Sequence, residues 1–405
     1  MTLVRRHPMA LALLALVLLS ALQPLPALVD AATGAPPVGA DLVRPTAYTA
    51  LAPLSNMLDA LTFLSLGRAW ALLIEWALAL AAWGALRRGT LRQRLGRALF
   101  GPLALAALGG AALMLPRPVP RLVTADSSLT VIDYHAHTDA SHDGRPGWTA
   151  EDLAAWHEAQ GFAASYVTDH NVVFRRPIEH PIRLLPGVEW SVYREHILAL
   201  GPVRPIDRAR YNRDARALGA LFAELHHQGA LGVASLPEYW LNGWDDLEGF
   251  VADSVDGFEI VNCSPKALAF STARRGAVAQ LAAARDLLVV GASDNHGWGK
   301  VTCAWNLSSP SAHGYAANHV LARSIALAQG DWEPWTAAYT QPWLMLRSLS
   351  SSERSSWVTW ILVILIYRAV PRRAGDPGGI GILARSLEMF KVRRAEGLGG
   401  RVLTP

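Results

Sequence analysis

A short stretch of the chain, VIDYHAHTDASHDG at residues 131–144, contains three histidines and three aspartates behind a β-branched lead-in. In an extended strand, residues i and i+2 point to the same face, so His135 and His137 are expected to project side by side. Two imidazoles on one face, with Asp143 close behind them, are suited to bind one cation. Because H-x-H pairs also occur by chance in solvated loops, this stretch indicates metal chemistry only together with further ligands.

Further histidines and carboxylates stand at or beside the ends of later apolar runs, which are typical of β-strands. These runs carry the segments SYVTDHN, LLPGVE, HILALG and VVGASDNH, and stretches with helical spacing separate them. Strands that alternate with helices predict an α/β fold with a parallel sheet or barrel, and such folds gather ligands from several strand ends onto one rim. The predicted metal ligands are His135, His137, Asp143, His170, Glu189, His196, Asp294 and His296. Imidazole and carboxylate without thiolate favour Zn, Mn or Fe.

Two of the helical stretches carry clear end signals. Thr149, followed by Asp152, predicts a capping-box start for a helix that Gly161 ends. The second stretch covers 208–228, where apolar residues fall at helical spacing and Gly229 follows as the stop. Both stretches support the alternating order of strands and helices.

The composition predicts a membrane protein. Of the 405 residues, 51% are hydrophobic and only 17% are charged, and the mean hydropathy is +0.20, which is too apolar for an ordinary soluble domain. Apolar segments of about the length that crosses a bilayer predict about three N-terminal spans and one C-terminal span. The predicted organisation is a membrane region at 1–118 with spans at about 9–29, 66–86 and 98–115, an extracytoplasmic domain at 119–345, a further transmembrane helix at 346–371 and a basic cytoplasmic tail at 372–405.

Basic segments orient the predicted spans. Arg5 and Arg6 precede the first span, RRGTLRQRLGR separates the second from the third, and the chain after the fourth is again basic. By the positive-inside rule these segments are cytoplasmic, which predicts a multi-pass protein of the cell membrane with residues 119–345 outside the cytoplasm. A cleaved signal peptide in place of the first span leaves this orientation unchanged. The pI of about 9.2 then reflects topology, so no nucleic-acid partner is expected.

Four motifs in a fixed order, HAHTDASHDG, VTDHN, GVEWSVYREHILALG and GASDNH, resemble the successive motifs of the PHP (polymerase and histidinol phosphatase) superfamily of metal-dependent hydrolases. The resemblance covers about residues 129–305. The close coupling of GVE to HILALG is most similar to the membrane-associated, carbaryl-hydrolase-like branch. The resemblance implies a distorted (β/α)7 barrel with a centre of two or three divalent metal ions at the carboxyl ends of the strands.

The resemblance also implies how the ligands divide among the ions. One ion would be held by His135, His137, Glu189 and Asp294. A second ion would be held by Asp143, His170 and His296. A third position would be bridged by Glu189 and completed by His196 and by one further histidine of the family.

That further histidine is missing from this chain. Relatives show an apolar strand that closes with A-H-P, whereas VASLPEYW here offers Ser235 and Leu236. A third ion is therefore expected to be weak or absent unless Glu238 or water replaces the missing ligand. Amidohydrolases also open with H-x-H but commonly use a carboxylated lysine. Lys266 and Lys300 are not at such a position, which makes that class the less favoured alternative.

A cluster of divalent ions predicts hydrolysis. Two close cations lower the pKa of a bridging water and neutralise charge that grows on a phosphate or carbonyl oxygen. Phosphoester hydrolysis is the leading interpretation. Carbamate, ester or amide hydrolysis and a non-catalytic membrane-anchored sensor remain alternatives. The expected partners are a small, anionic substrate and the lipid bilayer. Arg175 and Arg176 follow TDHN and would suit an anionic substrate, although a solvated loop pair is the favoured interpretation.

Other polar residues near the motifs take structural interpretations. Asp133 is predicted to be a buried hydrogen-bond acceptor, whereas Asp139 and His142 are predicted to be polar loop residues rather than ligands. Cys263 and Cys303 are the only cysteines, and outside the cytoplasm they are able to form a disulfide. The sequence does not establish whether their Cα atoms come within bonding range.

Overall fold

The computed structural model describes residues 7–369 apart from 177, 180, 215–216, 244–245 and 312–313. The chain divides into two units, one formed by Ala12–Val358 and the other by Met1–Leu11 together with Thr359–Pro405. In the second unit, residues 8–11 and 359–369 are helical, and the predicted basic tail lies outside the described residues. All of the candidate ligands belong to the first unit.

The described elements are numbered in chain order. The strands are β1 Leu28–Asp30, β2 Ala40–Val43, β3 Arg121–Thr124, β4 Thr130–Asp133, β5 Ala164–Val167, β6 Arg183–Val192, β7 Glu195–Leu200, β8 Leu231–Ala234, β9 Gly257–Asn262, β10 Leu288–Ala292, β11 Ala304–Ser311 and β12 Gly314–Arg323. The α-helices are α1 Pro8–Leu19, α2 Thr46–Ala50, α3 Ala52–Thr62, α4 Leu66–Leu86, α5 Leu91–Met114, α6 Ala150–Ala159, α7 Arg208–Tyr211, α8 Ala217–His227, α9 Leu236–Gly243, α10 Leu247–Ala252, α11 Thr272–Arg285, α12 Ser324–Leu327, α13 Ala337–Arg347 and α14 Ser351–Ala369. Short 3-10 turns lie at Ser20–Leu22, Ala267–Ala269, Ala328–Asp331 and Pro334–Thr336.

Ten of these strands form one curled sheet in the order β1-β12-β11-β4-β5-β6-β7-β8-β9-β10, and β2 pairs with β3 separately. The predicted α/β class is confirmed, but the sheet is mixed rather than parallel. Strands β4, β5 and β6 are parallel, as are β8, β9 and β10, whereas β7 is antiparallel to β6 and β8. Strand β7 reverses because only Tyr193 and Arg194 join it to β6, both at positive φ, and so short a turn connects antiparallel strands.

Hydrogen bonds bring the end of β10 back to β4. The buried Asn306 side chain donates to the carbonyls of Ile132 and Gly291 at 2.9 and 2.7 Å. Beyond the strands, the Asp294 amide donates to the His135 carbonyl, and the His137 amide donates to the Asn295 carbonyl. The residues that follow β4 and β10 are therefore held side by side at the carboxyl ends of these strands.

The predicted helix signals have different outcomes. The capping box is confirmed, because the Thr149 hydroxyl accepts from the Asp152 amide and the Asp152 carboxylate accepts from the Thr149 amide, both at 3.2 Å. The single helix predicted over 208–228 is instead two helices, α7 and α8. After α7 the Asn212 carboxamide accepts a hydrogen bond from the Tyr193 amide of the β6–β7 turn, so this part of the chain packs against the hairpin rather than continuing a helix.

Helices α4 and α5 are long and apolar enough to cross a membrane by length and composition. Helix α4 has the predicted bounds, and α5 includes the predicted span 98–115 except for Leu115. The apolar helix α1 has 12 residues and, with the 3-10 turn after it, ends at Leu22. Residues 28–29 of the first predicted span lie in β1, which pairs with β12. Two of the predicted spans thus correspond to helices that are able to cross a membrane. The end of the first predicted span instead forms strand β1 of the sheet.

Candidate metal centre

The carboxyl ends of the curled sheet bring all eight predicted ligands into one cluster. His135 and His137 follow β4, His170 follows β5, and Asp294 and His296 follow β10. The antiparallel hairpin supplies two further candidate ligands from within its strands, Glu189 from β6 and His196 from β7. Asp143 lies in the loop after β4. The β6–β7 turn explains the close coupling of GVE to HILALG, because residues 189 and 196 meet on one face of a hairpin.

The ring nitrogens of His135 and His137 meet at the centre of the cluster, with their Nε2 atoms 2.9 Å apart. The Nδ1 atom of His135 lies 2.9 Å from a Glu259 oxygen, and the Nδ1 atom of His137 lies 2.8 Å from the Ser141 hydroxyl oxygen. Hydrogen bonds at Nδ1 fix the orientation of both rings, so that both Nε2 atoms face the carboxylates.

Two buried carboxylates face these nitrogens. Glu189 Oε2 lies 3.1 Å from His135 Nε2, 3.4 Å from His137 Nε2 and 3.0 Å from His170 Nδ1. The other oxygen of Glu189 lies 2.5 Å from His196 Nδ1. One oxygen of Glu189 thus faces His135, His137 and His170, and the other faces His196. A carboxylate that bridges two ions requires this arrangement.

Asp294 faces the two central imidazoles, whereas Asp143 faces His170 and His296. Asp294 Oδ1 lies 3.4 Å from His135 Nε2 and 3.1 Å from His137 Nε2. The oxygens of Asp143 lie 3.3 Å from His296 Nε2 and 3.4 Å from His170 Nε2. Asp143 is 47% exposed, whereas Asp294 is almost fully buried.

Unpartnered buried atoms indicate that these residues fit metal ions. Glu189 Oε2, Asp294 Oδ1, His170 Nδ1 and His296 Nε2 are all buried and lack a hydrogen bond of acceptable geometry. Buried polar atoms without partners are costly, and a cation satisfies several of them at once. Ligand atoms within 4.8 Å of one another occur in groups of three, formed by His135, His137 and Asp294, by His170, Glu189 and His196, by His137, His170 and His296, and by His142, Asp143 and His170.

The electrostatics of the cluster follow from burial and from the dense packing of opposite charges. Burial, together with the neighbouring His296, lowers the pKa of His137 to about 3. Burial alone would raise the pKa of Glu189, but His135 and His196 hold it well below its usual range. Burial likewise opposes a charge on His135, yet the surrounding carboxylates, Glu189 foremost, raise its pKa well above the ordinary value. A proton therefore competes with a cation for the Nε2 atom of His135.

Sequence reasoning missed Glu259, which lies on β9 and is fully buried. Besides its contact with His135, it accepts from the Ser235 hydroxyl at 3.3 Å. Burial raises the pKa of Glu259 to about 7, although His135 works against this rise. The signal was visible in GFEIVN, where a single carboxylate interrupts an apolar strand that is buried along its whole length.

The polar residues of the first motif occupy the positions expected of them. Asp133 is a buried acceptor, because one oxygen accepts from the amides of His135 and Ser293 and the other lies 2.8 Å from His157 Nε2. Asp139 and His142 are exposed, as predicted for loop residues. His142 nevertheless stands beside Asp143 and His170 in one of the groups able to hold an ion.

Other candidate residues of the domain are paired. Arg176 is exposed and pairs with Glu151 at 2.6 Å, which favours the loop interpretation of the two arginines. Glu238 does not replace the missing histidine as a free carboxylate, because it pairs with Lys266 at 3.0 Å. Cys263 and Cys303 form a disulfide with a Cα–Cα distance of 5.6 Å, which settles the pairing that the sequence left open.

No protein-family model and no curated protein matches the chain. Solved structures similar to it include a protein from Bifidobacterium adolescentis described as a metal-dependent phosphoesterase, with 17% identity and a TM-score of 0.33 over 46% of this chain and 92% of that one. PsfC from Pseudomonas syringae has 17% identity and a TM-score of 0.39 over 53% of this chain and 99% of its own. The lesion-specific endonuclease EndoQ from Pyrococcus furiosus has 12% identity and a TM-score of 0.29, over 45% of this chain and 53% of its own. Similarity at these TM-scores carries no argument about function, which rests on the site itself.

Proposed function

We propose that the chain is a membrane-anchored, metal-dependent hydrolase of the PHP type, and specifically a phosphoesterase. The observation that carries the proposal is the convergence of five imidazoles and three carboxylates at one rim of the sheet, with Glu189 and Asp294 each facing several ring nitrogens. Such a mixture of nitrogen and oxygen ligands suits Zn, Mn or Fe.

Different residues of the chain would have different roles at such a site. Divalent ions held here would supply an activated water and would neutralise the charge that develops on a phosphoryl oxygen. Glu259 and Ser141 orient the rings of His135 and His137 from behind, so that these ligands keep one position. Lys266 lines a cavity together with Asp143, His170 and His296, where its ammonium group would face an anionic substrate.

The number of ions follows from the ligands that remain. Ser235, buried at the end of β8, contacts Glu259 and offers no imidazole to the third position. We therefore propose two tightly held ions, with a third that is weak. Elemental analysis after dialysis against trace metal should give about two equivalents, because His170 is assigned to the second ion and the third position then keeps only Glu189 and His196. Three tight equivalents would contradict this assignment.

The distorted (β/α)7 barrel and the extracytoplasmic location belong to the same proposal. The apolar helices α4 and α5 support membrane anchoring, and the Cys263–Cys303 disulfide supports an oxidising compartment. A reporter that is active only outside the cytoplasm should be active when fused after Asp126 and silent when fused at Arg92. The opposite pattern would put the domain inside the cell.

The experiment that tests the activity uses the full chain, because β1 and helices α2 and α3 belong to the same unit as the sheet. Purified protein with Mn or Zn should hydrolyse p-nitrophenyl phosphate or bis-p-nitrophenyl phosphate. Turnover of 1-naphthyl esters alone would instead assign a carbonyl hydrolase on the same centre. Turnover of neither class would favour the non-catalytic sensor.

A further inference from the structure

The cavity over the metal centre is lined by two unlike groups of residues. Its volume is about 670 Å³, which lies in the range of sites for small organic ligands. One group comprises the candidate ligands Asp143, His170, His196, Asp294 and His296. The other group, the apolar wall, comprises Thr62, Phe63, Leu66 and Leu113, which belong to the helices and helix ends of the apolar N-terminal region. The two helices that are able to cross a membrane therefore contribute to the lining of the site.

The position of this wall along the helices is informative. Helix α4 begins at Leu66, and α5 ends at Met114, so the cavity lies where the hairpin of these helices starts and finishes. The connection between them, at residues 87–90, lies at the far end, because the 21 residues of α4 span about 30 Å, which is the thickness of a bilayer core. A membrane crossed by this hairpin would have one of its two surfaces at the mouth of the cavity.

Specific contacts hold the apolar wall in place. The Leu66 amide donates to the Pro265 carbonyl at 2.7 Å, which fastens the start of α4 to the loop that follows β9. Arg117, just after α5, pairs with the buried Asp59 of α3 at 3.1 Å and donates to the Ala112 carbonyl at 2.9 Å. The end of α5 is thus fastened to α3, whose last residue Thr62 also lines the cavity.

Exposed apolar side chains continue from the cavity to the helix surface. Leu66 and Leu113 are 47% and 43% exposed although they line the cavity, and Leu115 and Trp298 are exposed nearby. Clustered exposed apolar groups at a polar site are unfavourable in water and favourable against lipid or a lipid-like ligand. Trp298 lines the cavity, and tryptophan side chains are enriched at the interface of a bilayer.

Positive charge accompanies the polar end of the cavity. Lys266 lines it and, although paired with Glu238, is 63% exposed. A ligand with an anionic head and an apolar tail would match the charge at one end and the leucines at the other.

We propose that the substrate is a membrane amphiphile, with a phosphoester head that reaches the metal centre and an alkyl tail that leaves between Leu66 and Leu113. This inference rests on the proposed function and on the proposed membrane anchoring. In the reaction, the oxygen of a water molecule bonds to phosphorus while a phosphorus–oxygen ester bond breaks. One proton of that water goes to the departing alkoxide, so water is the only co-reactant.

The experiment compares substrates with one scissile bond and different tails. Full-length protein in phosphatidylcholine nanodiscs, loaded with Mn, is assayed on methyl, butyl and octyl p-nitrophenyl phosphate diesters. We expect kcat/KM to rise at least about tenfold from methyl to octyl, an increase that burial of about two methylene groups would supply. Equal values across the series would overturn the amphiphile proposal while leaving the hydrolase intact. Turnover of neither the methyl nor the octyl diester would count against the proposed function instead.

Matched variants separate tail binding from simple partitioning into the bilayer. Leu113→Gln should bring the octyl-to-methyl ratio close to one. Leu99→Gln, on the same helix, exposed and outside the lining of the cavity, should keep the wild-type ratio. Equal ratios in the two variants would mean that the bilayer alone concentrates the octyl ester, and the proposed tail site would be wrong.

A binding measurement that needs neither metal nor turnover completes the test. An octyl methylphosphonate with a diazirine on its tail is photolysed with the metal-free full-length protein, and labelled peptides are identified by mass spectrometry. Labels on Thr62–Leu66 or on the end of α5 are expected, and excess octyl methylphosphonate should remove them. Labels confined to other surfaces, or labels that the competitor does not reduce, would contradict the tail site.

Discussion

The inner wall and the outer rim of the candidate metal centre are built differently. The inner wall is formed by His135, His137, Glu189 and Asp294, whose side chains are 0–3% exposed. The outer rim is formed by Asp143, His196 and His296, whose side chains are 47%, 12% and 17% exposed. The two histidines of the inner wall make further hydrogen bonds behind the site, to Glu259 and Ser141.

This difference predicts separate roles for the two sides. Groups in the inner wall cannot reach water, so a lost partner there leaves a buried polar atom unsatisfied. At the outer rim, water is able to replace a ligand, and all three residues line the cavity. The inner wall should therefore determine whether metal is retained, and the outer rim should tune turnover.

The largest effect is expected for His135→Ala. The substitution removes a buried ligand and leaves Glu259, Glu189 and Asp294 facing a small void. Metal retention and turnover should both fall by more than about a hundredfold, since even partners behind the ligands are worth about 10- to 100-fold. Elemental analysis and the diesterase assay measure the two losses. Wild-type turnover by a metal-stripped His135→Ala protein would refute the metal mechanism.

A smaller effect is expected for Glu259→Gln, which tests whether the inner wall is oriented from behind. The carboxamide keeps the size of the side chain but removes the negative charge that faces His135 Nδ1. Metal affinity should fall by about 10- to 100-fold, while saturating metal should restore most of the turnover. Competition with a chromophoric chelator measures the affinity. An unchanged affinity would show that Glu259 only fills the core.

At the outer rim, Asp143→Asn should act more weakly. A carboxamide oxygen still coordinates divalent ions, and the exposed position allows water to complete the ligand shell. Turnover at saturating metal should fall by about tenfold or less, with the inner ion retained. A loss of both ions on elemental analysis would remove the distinction between the two sides.

The sequence predicted the residues of the cluster better than the sheet that carries them. Polar residues at strand ends are visible as breaks in apolar runs, so all eight residues of the cluster could be named before the structure, and their role as ligands stays a prediction. The antiparallel β7 was not foreseen, because its apolar run has the same composition as a parallel strand and only the two-residue turn at Tyr193 and Arg194 reverses it. The role of Glu259 depends on strands β4 and β9 meeting across the sheet, which no local pattern encodes.

The apolar N-terminal region was also only partly predictable. Hydropathy identifies helices such as α4 by length and composition. Hydropathy does not indicate that Leu66 and Leu113 line the cavity over the metal site. Their position depends on long-range contacts such as the backbone hydrogen bond between Leu66 and Pro265. Long-range contacts of this kind, between residues about 200 positions apart in sequence, arise from the packing of the whole unit.

The smallest effect is expected for Ser271→Ala, a change outside both sides of the site. The Ser271 hydroxyl accepts from the Arg274 amide and caps the start of α11, so its loss should cost about 1 kcal/mol of stability. Turnover and metal content should stay at wild-type values, because α11 packs behind β9 and supplies no ligand. A thermal midpoint about 2 °C lower, with activity unchanged at 25 °C, is the expected result. Lost metal or lost turnover in this variant would mean that destabilisation of the fold alone releases metal. The losses measured for His135→Ala and Glu259→Gln would then not be specific to the metal site.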